Sequence, residues 1–390
     1  MAEWIEKSLG EIAEVTKLAG FEFTKYIKYN DDGEIIALRA LNLRNGELDL
    51  SDIKRISREV SEGLTRSKIY KDDILLTYTG NGYGDCAIIE ENDKYHLAPN
   101  ICKIVPNQKV IYPYYLYCYI RSKAFYNQMS NNMTGSGQPT IPMKTIRLLK
   151  IPVPDMSVQV KIANMILSLN QKIRNNKVIN NNLEQQAQAI YQQMFIDNAS
   201  SDWAEGTLSN IADITMGQSP SGSSYNEDGN GTIFFQGRAE FGFRFPSVRL
   251  YTTEPKRMAR SNDTLMSVRA PVGDLNVAHT DCCIGRGLAA IHSKSNHQSF
   301  VLYTMFSLKK QLDVFNGEGT VFGSINRNSL NDMPILIPSD DILDEFERIV
   351  APMDLTIRNN YDENCRLQDI RDTLLPRLMS GELDVSDIDI

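Results

Sequence analysis

The residues able to do chemistry in this chain fail most of the spacing tests that catalysis imposes. Six cysteines (Cys86, Cys102, Cys118, Cys282, Cys283 and Cys365) contain no C-x-x-C pair, and the only close pair is directly adjacent. That suits neither a zinc knuckle nor a disulfide framework, so buried free thiols are expected. His292 and His297 are five apart without a carboxylate neighbour, and no metal is assigned. Two carboxylate-x-lysine triplets, Asp52 to Lys54 and Glu254 to Lys256, have the form of half a magnesium nuclease site. Each sits in a charge-rich turn and reads as solvated surface. Thr79 to Gly84 (TGNGYG) reads as a loop between strands, not a dinucleotide fingerprint. No Gly-Lys dipeptide occurs, which removes a P-loop motor. No two prolines are adjacent, which removes the [ND]-P-P-[YF] loop of amino-methyltransferases.

Composition narrows the class further. A chain of 390 residues predicts two or three domains with proper cores. The net charge of -8 is unevenly spread. Residues 1–154 carry 20 Lys and Arg against 19 Asp and Glu, and residues 200–338 carry 12 against 13. Residues 339–390 carry 5 against 14, so nearly all the acidity is distal. The two large segments are near neutral, which permits a basic face toward nucleic acid without requiring one. The opening residues show no signal pattern and no apolar run approaches membrane-spanning length, so the expected location is cytoplasmic.

The elements that would position these side chains occur twice. Trp4, Leu9, Ile12 and Ala13 recur as Trp203, Leu208, Ile211 and Ala212. Asp72 to Thr77 (DDILLT) recurs as Asn262 to Ser267 (NDTLMS), a turn entering a strand, and each copy is followed by Gly-Asp, at Gly84-Asp85 and Gly273-Asp274. Leu116 and Tyr117 recur as Leu302 and Tyr303 on amphipathic helices. Gly135 to Pro154 and Gly319 to Pro338 both read as a Gly-rich loop, a short polar helix and an apolar stretch closed by proline.

The repeat extends to two long helices. Positions alternately four and three apart give Ile162, Ile166, Leu169, Ile173, Asn176, Asn180, Leu183, Ala187, Ile190 and Met194, a heptad seam. The second copy gives Phe346, Val350, Met353, Ile357, Asn360, Asn364, Leu367, Arg371, Leu374 and Leu378. Each seam has asparagine at two consecutive positions, and a polar seam residue costs stability unless it meets a polar partner. Asn176, Asn180, Asn360 and Asn364 are therefore predicted to pair the helices antiparallel. Arg371 breaks the pattern, with Ile370 expected to substitute, and Pro352 is expected to kink or divide the second helix. The first helix would span roughly 54 Å at about 1.5 Å per residue, the length of a spacer. The predicted fold is α+β: two similar globular domains joined by two long antiparallel coiled-coil helices, with a pseudo-two-fold internal repeat. The segments are 1–154 (first globular domain), 155–199 (central spacer helix), 200–338 (second globular domain) and 339–390 (distal spacer helix and tail).

Arg269 to Ala278 (RAPVGDLNVA) with Ile284 to Ile291 (IGRGLAAI), the Gly135 to Pro154 stretch, and Leu374 to Asp387 (LLPRLMSGELDVSD) resemble segments of type I restriction-modification specificity (S) subunits. The domain, helix, domain, helix order agrees. The resemblance implies a non-catalytic DNA-binding subunit in which each globular domain reads half of a bipartite double-stranded site and the helices fix the gap. It also implies two methyltransferase subunits as partners, with S-adenosylmethionine bound to them and not to this chain, and motor-nuclease subunits in the full complex. In the first helix Pro154 to Ala163 keeps the glutamine typical of that position, whereas Ser339 to Val350 lacks it. The competing readings are a methyltransferase or nuclease acting alone, and a coiled-coil adapter with two protein-binding heads.

Arg, Asn and Gln can contact base edges in pairs of hydrogen bonds, while Ser, Tyr, Lys and backbone amides more often hold phosphates. On that basis the first domain offers Arg39, Asn42, Arg66, Lys68, Asn81, Tyr83, Gln138 and Lys144. The second offers Ser219, Ser221, Tyr225, Gln236, Arg238, Arg257, Arg260, Arg269 and Arg286.

Overall fold

A computed structural model of the chain describes residues 4–80, 82–135, 139–317 and 323–385. It is a mixed helix and sheet fold that divides into two compact units. One comprises Met1–Asn175 with Glu363–Ile390, and the other Asn176–Asp362.

In the first unit a four-stranded antiparallel sheet runs in the order Ala13–Lys17, Ile101–Pro106, Ile74–Thr77, Cys86–Ile88. Ile5–Ser8 pairs with Lys150–Val153, so Ser8 faces Lys150. A three-stranded sheet places Ile35–Leu38 between Lys54–Ile56 and Tyr95–Leu97, with Leu38 beside Leu97 in a parallel pair. The second unit repeats this register. Ala212–Met216, Leu288–Ser293, Thr264–Ser267 and Leu275–Val277 form its four-stranded sheet. Thr207 faces Pro334, and Phe235 stands beside Ile284 in the parallel pair of a five-stranded sheet. Burial on both faces of the central strands explains the match: Ile74, Leu75 and Leu76 are fully buried, as are Leu265 and Met266.

Helix Met156–Tyr191 continues into a π-helical turn, Gln192–Asp197, and contains neither glycine nor proline. Six of its ten seam positions, Ile162, Ile166, Ile173, Asn176, Asn180 and Ala187, are buried, Leu169, Leu183, Ile190 and Met194 are half-buried, and Ala163 and Tyr191 widen the buried stripe beside them. Ile162 and Ile166 join the core of the first unit together with Leu378 and Met379. Ala187, Tyr191 and Phe195 join that of the second with Phe346, Val350 and Ile357.

Two helical expectations are narrowed. Of the kink or division expected at Pro352, division does not occur: the second long helix, Asp340–Met379, is continuous through it. Proline removes one backbone hydrogen bond and costs about 3 kcal/mol in a helix interior. Here it lies on the exposed side, and burial of Phe346, Val350 and Ile357 around it, at about 1.5–3 kcal/mol each, outweighs that loss. Arg371 keeps its seam position, and Ile370 does not replace it but stays 46% exposed. The guanidinium is accommodated because Arg371 Nη1 donates to Asn170 Oδ1 at 3.1 Å and Nε to Asp372 at 2.8 Å.

Candidate nucleic-acid interface

In the second unit strand direction gathers the polar loops at one rim. Strands Ala212–Met216, Thr232–Phe235, Thr264–Ser267 and Cys282–Ile284 all end there, and Leu288–Ser293 begins there. The loops that follow touch backbone to backbone. A Cβ on Gly217 would run into the Gly285 carbonyl, and one on Gly285 would come within 2.8 Å of the Gln236 carbonyl, so only glycine permits this approach. Between them lies a cleft of about 240 Å³ lined by Ser219, Gln236, Gly237, Arg238, Ser267, Arg269, Ala270, Arg286 and Gly287. Five residues chosen from sequence, Ser219, Gln236, Arg238, Arg269 and Arg286, are thereby brought together.

Their electrostatic states differ. Arg238 is ion-paired with Asp274, which also receives Lys309 at 3.4 Å. Ser267 closes the following loop, donating to Pro271 O at 2.6 Å and accepting from Asp274 N at 3.0 Å. Arg269 and Arg286 are exposed and have no carboxylate partner among the described residues. The Arg286 backbone N–H donates to Ser219 Oγ at 3.2 Å, which fixes the loop and leaves the guanidinium available.

The other candidates of this unit lie outside the cleft. Ser221 and Ser223 share a hydroxyl hydrogen bond at 2.8 Å, and Tyr225 donates to Pro220 O at 3.1 Å with its ring 4.9 Å from Phe234. Arg257 is exposed. Arg260 approaches His292 Nε2 at 3.2 Å, and His292 Nδ1 lies 2.6 Å from buried Asp263.

The first unit builds its corresponding rim differently. By strand register Thr79 stands where the second unit has Arg269, Pro99 where it has Arg286, and Arg39 where it has Gln236. Thr79 is bonded to Thr140 at 2.6 Å. Arg39 is held by the carbonyl and carboxylate of Asp52 at 2.9 and 3.0 Å. Asn42 must be corrected as a base reader. It is fully buried, its amide donates to Asp49 O and Asp52 O, and its carbonyl accepts from Arg39 N, so no edge remains for a base. Tyr83 stacks on Tyr126 at 5.3 Å with their hydroxyls 2.5 Å apart. Arg66 and Lys144 are exposed, and Lys68 is half-buried with its ammonium 5.9 Å from the Tyr70 ring. Asn81 and Gln138 lie outside the described residues. Sequence reading missed Lys17, whose ammonium lies 5.3 Å over Tyr78 beside this rim, although its place at a strand end marked it.

Of the helix asparagines, Asn360 Nδ2 donates to Asn180 Oδ1 at 2.7 Å and Asn180 Nδ2 to Ile357 O at 3.2 Å. Asn176 and Asn364 are each buried. The sequence also missed Arg244, 5% exposed, which reaches Glu184 at 3.1 Å, Asp354 at 3.3 Å and the Tyr303 hydroxyl at 3.1 Å. It ties its loop to both long helices within the second unit. Burial raises the Glu184 pKa, and Arg244 pulls it back. The two carboxylate-x-lysine triplets gain no catalytic company: among the described residues no group of His, Cys, Asp or Glu is arranged to hold a metal. Five of the six cysteines are buried thiols, and Cys365 is half-buried. No described helix is long and apolar enough to cross a membrane.

Residues 1–185 match the family model for the type I restriction modification DNA specificity domain. A protein of Methanocaldococcus jannaschii with the provisional name type I restriction enzyme MjaX specificity subunit is 28% identical over 376 residues, covering 89% of this chain and 87% of the relative. The type I restriction enzyme HindI specificity subunit of Haemophilus influenzae is 22% identical over 472 residues, covering 98% and 100%. In fold, the chain is similar to the crystal structure of the type I restriction-modification system S subunit from M. genitalium, with a TM-score of 0.63, 15% identity and 96% of each chain covered.

Proposed function

Since the chain belongs to the family of type I restriction-modification specificity subunits, we propose that it supplies sequence recognition, and not catalysis, to a DNA-modifying complex. Residues 1–154 and 200–338 would each read one half of a bipartite double-stranded site. The long helices, pairing antiparallel as a coiled coil, would hold the two readers at a set spacing and dock two methyltransferase subunits. S-adenosylmethionine would be bound by those partners, and motor-nuclease subunits would complete the restriction assembly in the cytoplasm. The observation that carries this reading is the duplicated rim: the same strand register occurs in both units, yet the base-capable side chains at a matched loop position differ, Arg39 against Gln236. A scaffold kept the same with its loops varied is what two readers of different half-sites require.

The test is to incubate the purified chain with labelled S-adenosylmethionine and DNA, with and without a methyltransferase partner. Methyl transfer to adenine only with the partner present, at a divided sequence, supports the reading. Transfer by the chain alone would make it an enzyme in its own right, and no effect of the chain on the partner's site choice would leave it an adapter.

A further inference from the structure

The cleft of the second unit is concave, and concavity separates two ways of meeting DNA. Base edges lie at the floor of a groove about 8.5 Å deep, so a base reader must project into it. A phosphate protrudes from the duplex, and a recess with converging cations is its complement. Here Arg269 and Arg286 arrive from separate loops, both exposed and both without a carboxylate partner among the described residues. Asp274, the acid that holds Arg238 of the same cleft, is engaged by Arg238 and Lys309, and no described carboxylate pairs with the other two guanidinium groups. The recess is also stiff, because Gly217 and Gly285 lock three loops together by backbone contact and the Arg286 amide is fastened to Ser219.

We infer that Arg269 and Arg286 form a clamp for a DNA-backbone phosphate beside the second half-site, fixing register and affinity without choosing sequence. The inference rests on the DNA-reading function proposed above and assigns these two residues a role within it. The first unit has Thr79 and Pro99 at the matched positions, so the clamp belongs to one half of the site only.

The experiment uses the full chain bound to its methyltransferase partner. For R269A/R286A, binding should weaken by a similar factor on cognate and unrelated DNA, and the slope of log K against log salt should become shallower by about 0.9 for each phosphate no longer neutralised. The methylated sequence should stay the same. R269K/R286K should restore most of the affinity, because an ammonium serves a phosphate but does not reproduce a paired guanidinium contact to a base. With the unaltered protein, single neutral methylphosphonates placed along the second half-site should reveal one or two positions where binding drops. A relaxed base preference in the alanine variant, an unchanged salt slope, or no sensitive phosphate would each overturn the clamp. If no methylphosphonate position mattered while inorganic phosphate still displaced DNA beyond chloride of equal ionic strength, the cleft would belong to the free anion and the clamp would be overturned. A complex that neither binds nor methylates DNA would instead fail the proposed function itself.

Discussion

His96 sits in the first unit with no exposed surface, its Nδ1 3.0 Å from the Ser61 hydroxyl. Burial, with Lys103 and Lys68 nearby, lowers its pKa from 6.5 to about 4. The folded state therefore resists a proton that the unfolded chain accepts, and stability falls as pH drops from about 6.5 toward about 4. Over that window the slope should be about 1.4 kcal/mol per pH unit from this residue. His96→Asn keeps an amide for Ser61 and removes the titration. Denaturant midpoints between pH 7 and pH 4.5 should show that slope in the parent and its loss in the variant, and parallel curves would refute the assignment. How far single residues could be read from sequence followed what each side chain does in the fold. The exposure of Arg269 and Arg286 was legible because cations in Gly-containing loops stay at the surface. Asn42 and Arg244 were not, because burial of a polar group depends on partners far along the chain, here Asp49 and Asp52 for one, Glu184 and Asp354 for the other.

The long helices were the most legible elements, since a seam repeated every seven residues is a local property. What it left open was the answer to its interruptions. Pro352 is tolerated because it faces solvent, and Arg371 because Asn170 meets it, and neither fact is visible in spacing alone. The asparagine pair makes a quantitative claim. Asn180→Leu leaves the half-buried Asn360 amide without this partner and should cost about 0.5–1.5 kcal/mol. Asn180→Leu with Asn360→Leu removes both polar groups and should recover most of that loss. A double-mutant cycle on unfolding midpoints measures it, and additive losses would show that the two side chains act separately. The proposed spacer role has its own consequence. Seven-residue insertions after Asn175 and after Asp362, where one unit gives way to the other, keep the seam in phase and add about 10.5 Å of helix. At about 3.4 Å per base pair, the unread gap should grow by about three base pairs. Genomic methylation maps read it directly, and an active variant with its old gap would remove the helices as the ruler.

If each of the two repeated units reads its own half-site, as proposed, exchange should be modular. Replacing residues 200–338 with the matching segment of a relative should alter one half-site and leave the other, as sequencing of methylated positions would record. Simultaneous change of both half-sites would contradict independent readers. The repeat itself was plain in the sequence, but the way the chain is divided between units was not. The second unit is contiguous, residues 176–362, whereas the first needs residues 363–385 to supply Leu378, Met379 and Val385 to its core. This has a consequence in time. Synthesis delivers the residues up to 175 early, yet their core lacks the buried Leu378, Met379 and Val385 until those residues leave the ribosome. The second unit can close as soon as Asp362 has emerged. Domains usually mature in the order in which they are made. In this molecule that order is expected to invert: the first unit is completed after the second, and a chain released after Asp362 would carry a complete second unit and an unfinished first.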